Sequence, residues 1–223
     1  LVGYQRDFLD AYRPNETWYL SESLRRQLHK MGRTADVDAP AGTYSRAILN
    51  RLLIDLSWAS SHLEGNTYSR LDTRELIEHG KAAQGKAAIE TQMILNHRTA
   101  IELLVENIDS AEFNRYTLMN LHSALAENLL PNPADEGRIC WQIEDALDAL
   151  LSKANQIRDP FEQSFFMMVH LPYLQPFADI NKRTSRLAAN LPLFRANLCP
   201  LTFLDVPEQA YSRGSRSPSL GLA

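Results

Sequence analysis

Residues Gln175–Asn190 read QPFADINKRTSRLAAN, and this stretch decides the fold. The apolar helical pattern before it, Asp159–Leu174, stops at Leu174-Gln175-Pro176-Phe177. A short loop, Ala178-Asp179-Ile180, follows, and Asn181–Arg186 then opens a second helix. A helix start offers unpaired backbone N–H groups and the positive end of the dipole, both suited to an anion. Lys182, Arg183 and Arg186 sit at that start, where cations are mildly unfavourable unless an anion joins them. Arg183 and Arg186, three residues apart, point to the same side. Asp179 stands where a carboxylate either caps the helix or holds Mg²⁺. Together these residues describe a phosphate-plus-metal site. On the pattern alone a plainer reading stays open, in which Asp179 or Asn181 only caps and the arginines are surface charges.

Outward from this stretch the periodicity is helical. Tyr44–Leu63 carries Ile48, Leu49, Leu52, Leu53, Leu56 and Ala59 at three-four spacing, which buries one face, and it ends at Gly65-Asn66. Leu20–Lys30 (with Ser21 as N-cap), Thr73–Gly80, Ala87–Glu106, Arg115–Glu127, Glu144–Ile157 and Thr184–Ala196 read as further helices. Asp159-Pro160 opens Asp159–Leu174 with proline at a favoured first position. Arg138–Ile143 and Leu201–Val206 are the candidate extended pieces. Breakers gather at 33–42, 131–137 and 213–219. The fold class is therefore all-α.

The chain has 223 residues, 44% of them hydrophobic, enough for a substantial core. Lys and Arg number 23 against 27 Asp and Glu, a net charge of −4, which gives no basic footprint for nucleic acid. No apolar run approaches the ~20 residues of a membrane span, and the opening Leu1-Val2-Gly3-Tyr4 is neither a signal nor a transit peptide. A soluble cytoplasmic protein is expected. Because the chain does not begin with Met, the true N-terminus is expected to lie elsewhere. Cys140 and Cys199 form no metal or disulfide pattern and read as buried or half-buried thiols. His29, His62, His79, His97, His122 and His170 make no metal-binding cluster, and Trp18, Trp58 and Trp141 read as core residues.

QPFADINKRTSR resembles the signature of the Fic family, HPFx(D/E)GNGRxxR, at Pro176, Phe177, Asp179, Asn181, Arg183 and Arg186. Upstream, Ser60-Ser61-His62-Leu63-Glu64-Gly65 resembles the family's inhibitory motif, (S/T)xxxE(G/N), at Ser60, Glu64 and Gly65. The resemblance implies the Fic fold, a helical bundle around a motif-bearing helix pair; the family's β-hairpin flap would start at Gly137-Arg138-Ile139, and the helix beginning at Glu144 leaves it shortened here. It divides the chain into an N-terminal helical extension (1–42), a Fic-type domain (43–211, with the inhibitory helix at about 44–64) and a flexible tail (212–223). The implied activity is transfer of AMP from ATP, with Mg²⁺, to a hydroxyl of a target protein or of the chain itself. Asp179 would hold the Mg²⁺. Ile180, Asn181 and Lys182 would form the anion hole. Arg183 would bind the outer phosphates, and Arg186 the γ-phosphate. Glu64 would compete with that phosphate for Arg186. Self-association of the chain stays open.

The sequence departs from the family in three places. Gln175 stands where the family's catalytic histidine accepts the hydroxyl proton, and an amide has no usable pKa near neutrality. His170, five residues earlier, is turned about 140° around its helix and stands in for the base only if Pro172 bends the chain. Ile180 and Lys182 replace the motif glycines, and a side chain at 180 would narrow the approach to phosphate. Two readings follow: an autoinhibited adenylyltransferase with altered base catalysis, and a degenerate nucleotide-binding module that acts as a regulator or interaction domain.

Overall fold

The computed structural model describes residues 6–206. Eleven α-helices are found there: α1 Asp7–Ala11, α2 Glu22–Gly32, α3 Thr43–Ala47, α4 Leu49–His62, α5 Arg70–His79, α6 Ala88–Glu106, α7 Arg115–Ala126, α8 Glu144–Gln156, α9 Pro160–Leu174, α10 Asn181–Ala188 and α11 Leu191–Arg195. Two single-turn 3₁₀ segments, Pro133–Asp135 and Trp141–Ile143, join α7 to α8. No strand occurs among the described residues, where the β pairing recorded is an isolated bridge between Arg33 and Leu198. The tail expected at 212–223, the end of the domain near 211 and the opening four residues lie outside the described residues.

Local signals set most boundaries. Ser21 Oγ accepts the Leu24 N–H and Asp159 accepts the N–H groups of Phe161 and Glu162, so both helices start under a side-chain cap. α5 begins earlier than its apolar pattern, at Arg70, because Ser69 and Asp72 form a capping box. The expected helix 44–63 bends at Ile48 (φ −105°), which divides α3 from α4 while the Ile48 and Leu52 N–H groups keep their bonds four residues back. The expected helix 184–196 starts at Asn181 and ends at Ala188. Pro192 has no N–H for the Ala188 carbonyl, and a new short helix, α11, starts at Leu191.

The two candidate extended pieces find no partner strand. Cys140 gives its N–H to the Pro176 carbonyl, and Leu201 is held at both backbone groups by the Asn190 side chain. The shortened flap thus forms no strand pairing among the described residues. An irregular stretch from Gly137 to Cys140 lies against the motif loop instead. Nor are the tryptophans core residues. Trp18 and Trp58 are half-buried, the first under the Arg25 guanidinium at 3.6 Å, and Trp141 is 73% exposed on its single turn. Both cysteines are half-buried free thiols.

The main core draws on Leu52, Leu56, Ile101, Leu104, Leu121, Leu147, Phe166, Leu171 and Leu187, and also on Leu9 and Tyr12 from the N-terminal segment. α10 lies against α9, α7 and α4, and α4 packs along α6. This arrangement brings the end of α4, at His62, to the start of α10, at Asn181.

Candidate active site

α9 ends at Gln175 in the left-handed region (φ 52°). The loop turns again at Ile180 (φ 62°), which immediately precedes α10. A β-branched residue is strained in that conformation. Ile180 tolerates it because its side chain is buried in the main core, 3% exposed. The expectation that this side chain narrows the approach to a phosphate is thereby corrected. It points inward, and only its backbone takes the glycine-like shape.

The motif's polar residues divide between building the loop and lying at the start of α10. Asn181 accepts the Phe177 N–H at 3.0 Å and donates to the Phe177 carbonyl at 2.9 Å, so its amide folds the loop. Asp179 Oδ1 accepts the N–H of Ile180 at 2.6 Å, and the residue is otherwise exposed. Neither caps the first turn of α10, which has no side-chain cap. The arginines are not surface charges. Arg183 is 8% exposed, and its Nη1 is buried with no hydrogen-bond partner among the described residues. Burial lowers its pKa, which the nearby Glu64 and Asp179 partly restore. Lys182 is half-buried and Gln175 exposed.

Arg186 is fully buried and is held by the end of α4. Its Nε donates to Ser60 Oγ at 2.9 Å, and Nη2 donates to the Ser60 carbonyl at 3.0 Å and to Glu64 Oε1 at 2.8 Å. Glu64 lies two residues past α4, in a turn closed by bonds from the Glu64, Gly65 and Asn66 N–H groups back to residues 61 and 62. Gly65 has φ 87°, a conformation that costs other residues strain. The turn is anchored further on: Glu90 of α6 accepts from the backbone and hydroxyl of Thr67, and the Asn66 amide donates to the Glu90 carbonyl. The carboxylate and guanidinium linked only by motif spacing in the sequence are thus in direct contact.

Charge accounting shows what the start of α10 lacks. Lys182, Arg183 and Arg186 bring three positive charges; Glu64 and Asp179 bring two negative ones. The excess is 3 − 2 = +1, beside an uncapped helix start and a buried guanidinium nitrogen without a partner. An anion with several oxygens answers all three. Asp179 is the carboxylate at hand for a divalent cation. Among the described residues no cluster of three His, Cys, Asp or Glu could cage a metal by itself. A single carboxylate suits Mg²⁺ shared with phosphate oxygens.

Two histidines that the sequence did not single out organise the site. His122 of α7 accepts the Gly137 N–H at Nδ1 (2.9 Å), stands 3.2 Å from the Asp179 carbonyl through Nε2, and stacks on Phe177 with ring centroids 3.9 Å apart. Burial pushes it down to about 4, so it is neutral. His97 of α6 is buried behind Ser60. His170, considered as a replacement base, is fully buried, bonded to the Tyr19 hydroxyl at 2.7 Å and stacked on Phe8, and burial pushes it down to about 3. The bend that would bring it to the site is not present.

The Fic/DOC family model matches residues 112–193. Protein adenylyltransferase Fic of Nematostella vectensis is 28% identical over 163 residues, 64% of this chain and 38% of that protein. Protein adenylyltransferase fic-1 of Caenorhabditis briggsae is 26% identical over 158 residues, 62% of this chain and 31% of that protein. The chain thus spans about a third of the length of these relatives. Among solved structures, Fic-1 from Caenorhabditis elegans superposes with a TM-score of 0.65 at 21% identity, over 85% of this chain and 58% of that one. A Fic domain containing signaling protein from Bacteroides thetaiotaomicron gives 0.65 at 16%, over 85% and 78%. At such identities the superpositions speak to the fold. The helical architecture, the matched segment and the relatives agree: residues 112–193 are a Fic/DOC family segment, set in a chain with the Fic fold.

Proposed function

We propose that the chain is a protein adenylyltransferase module that binds ATP with Mg²⁺ at the start of α10 and is held inactive by Glu64. The observation that carries this reading is the buried, unpartnered Nη1 of Arg183 beside an uncapped helix start. Such a group is costly unless an anion meets it. The adenylyltransferase relatives support the choice of ATP among phosphate ligands. In this reading Arg183 and the first N–H groups of α10 bind phosphate oxygens. Asp179 would hold Mg²⁺, which neutralises phosphate charge when bound. Arg186 orients the γ-phosphate. Glu64 occupies the same guanidinium, so nucleotide enters in a pose unsuited to in-line attack. The acceptor is a hydroxyl of a partner protein or of the chain itself. Among the described residues no helix is long and apolar enough to cross a membrane.

Gln175 favours a second reading, a module that binds nucleotide without transferring it. His122 is engaged on both nitrogens, and His170 is buried away from the site. Neither of these two imidazoles stands in for the missing base. A positioned general base is worth about 10²–10⁴ in rate.

One experiment separates the two. Labelled ATP is supplied to the natural chain, to Glu64→Gly and to Glu64→Gly/Gln175→His. Removing the competing carboxylate should tighten ATP binding about tenfold or more, since a hydrogen bond to a charged group is worth about 1.5–3 kcal/mol. Label transfer by Glu64→Gly alone supports the enzyme; transfer only after histidine is restored establishes the degenerate module. ATP affinity that does not change on Glu64→Gly would sink the autoinhibitory role.

A further inference from the structure

Behind Ser60 a chain of hydrogen bonds leads from Arg186 to α6. His97 lies on α6, 1% exposed, with both ring nitrogens engaged. Nδ1 is 2.9 Å from the Met93 carbonyl oxygen, which accepts only, so Nδ1 carries the proton. Ser61 Oγ, 3.2 Å away, is a second neighbour of the same nitrogen. Nε2 is then an acceptor, and it lies 2.9 Å from Ser60 Oγ. The Ser60 hydroxyl must donate to it, which leaves its lone pairs for the Arg186 Nε–H at 2.9 Å. A single direction of donation runs from Arg186 through Ser60 and His97 to Met93. The opposite tautomer would set a lone pair against the Met93 carbonyl. Burial, together with the positive charges of Arg183 and Arg186, keeps the ring neutral, pushed down to about 3.

We infer that His97 is a positioning residue for Arg186, fixing the plane of its guanidinium through Ser60 whether Glu64 or a nucleotide phosphate occupies the far side. Glu64 meets Nη2, while Ser60 holds Nε and also Nη2 from behind. The hold on Nε therefore does not depend on Glu64. On this view Ser60 serves the active state as well as the inhibited one, and His97, outside both motifs, serves both through it. The inference rests on the nucleotide reading above for its functional consequence; the geometric part stands by itself.

The test uses the full chain carrying Glu64→Gly, with ATP and Mg²⁺ or ADP and Mg²⁺ in a calorimeter. The parent should prefer ATP. His97→Leu, similar in bulk but unable to accept, should weaken ATP binding about tenfold or more, the effect of losing one charge-linked hydrogen bond. It should change ADP binding less than about twofold, since the affected arginine faces the third phosphate. His97→Gln, whose amide oxygen can accept from Ser60, should restore most of the preference. Ser60→Ala should reproduce His97→Leu, and the double substitution should add little, because both break one chain. Ser60→Ala also carries the test if His97→Leu does not fold. The second measurement is hydrogen exchange at Arg186 Nε–H in the natural chain by NMR. It should be slow there and in His97→Gln, and fast in His97→Leu. Equal losses for ATP and ADP, an undiminished ATP preference, or unchanged exchange would overturn the inference. If the Glu64→Gly parent shows no ATP preference, the nucleotide reading fails, and the exchange result alone then decides for or against His97.

Discussion

At the scale of single residues, Ile180 combines two opposing terms. Its left-handed backbone costs roughly 1–2 kcal/mol for a residue with a Cβ. Its side chain fills a place in the core, and truncating a buried isoleucine to alanine typically costs about 2–5 kcal/mol. Burial wins, which is why the position holds isoleucine where the family motif has glycine. The balance makes an unusual ordering testable. Ile180→Ala loses the packing and keeps the strain, whereas Ile180→Gly loses the packing and sheds the strain. Chemical denaturation should find both variants less stable than the natural chain, with the glycine variant about 1 kcal/mol more stable than the alanine one. Alanine above glycine would mean that the turn at 180 is not left-handed.

At the scale of elements, α7 and α4 reach the motif loop from two sides. α7 does so through His122, which joins Gly137, ahead of the motif, to Asp179 within it. Gly137 itself is fixed by its close approach to α7: a Cβ there would come within 3.0 Å of the Met119 carbonyl, and its φ is 72°. His122→Leu strands one N–H and one C=O, which should cost about 2–3 kcal/mol. Hydrogen exchange at the Gly137 amide, protected in the natural chain, should become fast; protection retained in the variant would refute the clamp. Neither this histidine nor His97 was legible in the sequence. Both act across 15 residues or more through ring nitrogens, and spacing along a helix carries no information about such partners. What spacing did carry was local. Apolar periodicity placed the long helices, and the cluster of cations at the start of α10 marked the candidate site. The break at Pro192 was legible in principle, from a missing N–H, but the run Leu191–Phe194 reads as apolar and conceals it. Asn181 misled for the opposite reason. A motif letter names a residue, and here its amide is spent on the Phe177 backbone rather than on the pocket.

At the scale of the molecule, three neutral histidines lie in the interior: His97 and His170, pushed down to about 3, and His122, to about 4, each by burial first. In the unfolded chain each titrates near 6.5. Below that pH the unfolded chain binds protons that the folded one refuses, so their contribution to stability is present above about pH 6.5 and is lost as pH falls toward 4. With three such groups the slope approaches about 4 kcal/mol per pH unit. Urea midpoints measured at pH 7, 6 and 5 should fall steeply, and His97→Gln should lessen the slope by about one proton. A flat profile would contradict the neutral, buried assignment. The N-terminal segment shares this interior. Glu162 of α9 is fully buried, and its donors are the Tyr12 hydroxyl and the backbone N–H groups of Tyr19 and Leu20. Lys153 in turn grips the carbonyls of Leu9, Asp10 and Tyr12. Anyone trimming the chain to its motif-bearing part, whether at residue 112 or at 43, would leave an interior carboxylate stripped of every one of these donors under a bare aromatic layer. Such a fragment would leave that carboxylate without hydrogen-bond donors or admit water to the core. The shortest self-sufficient piece therefore starts ahead of Leu9.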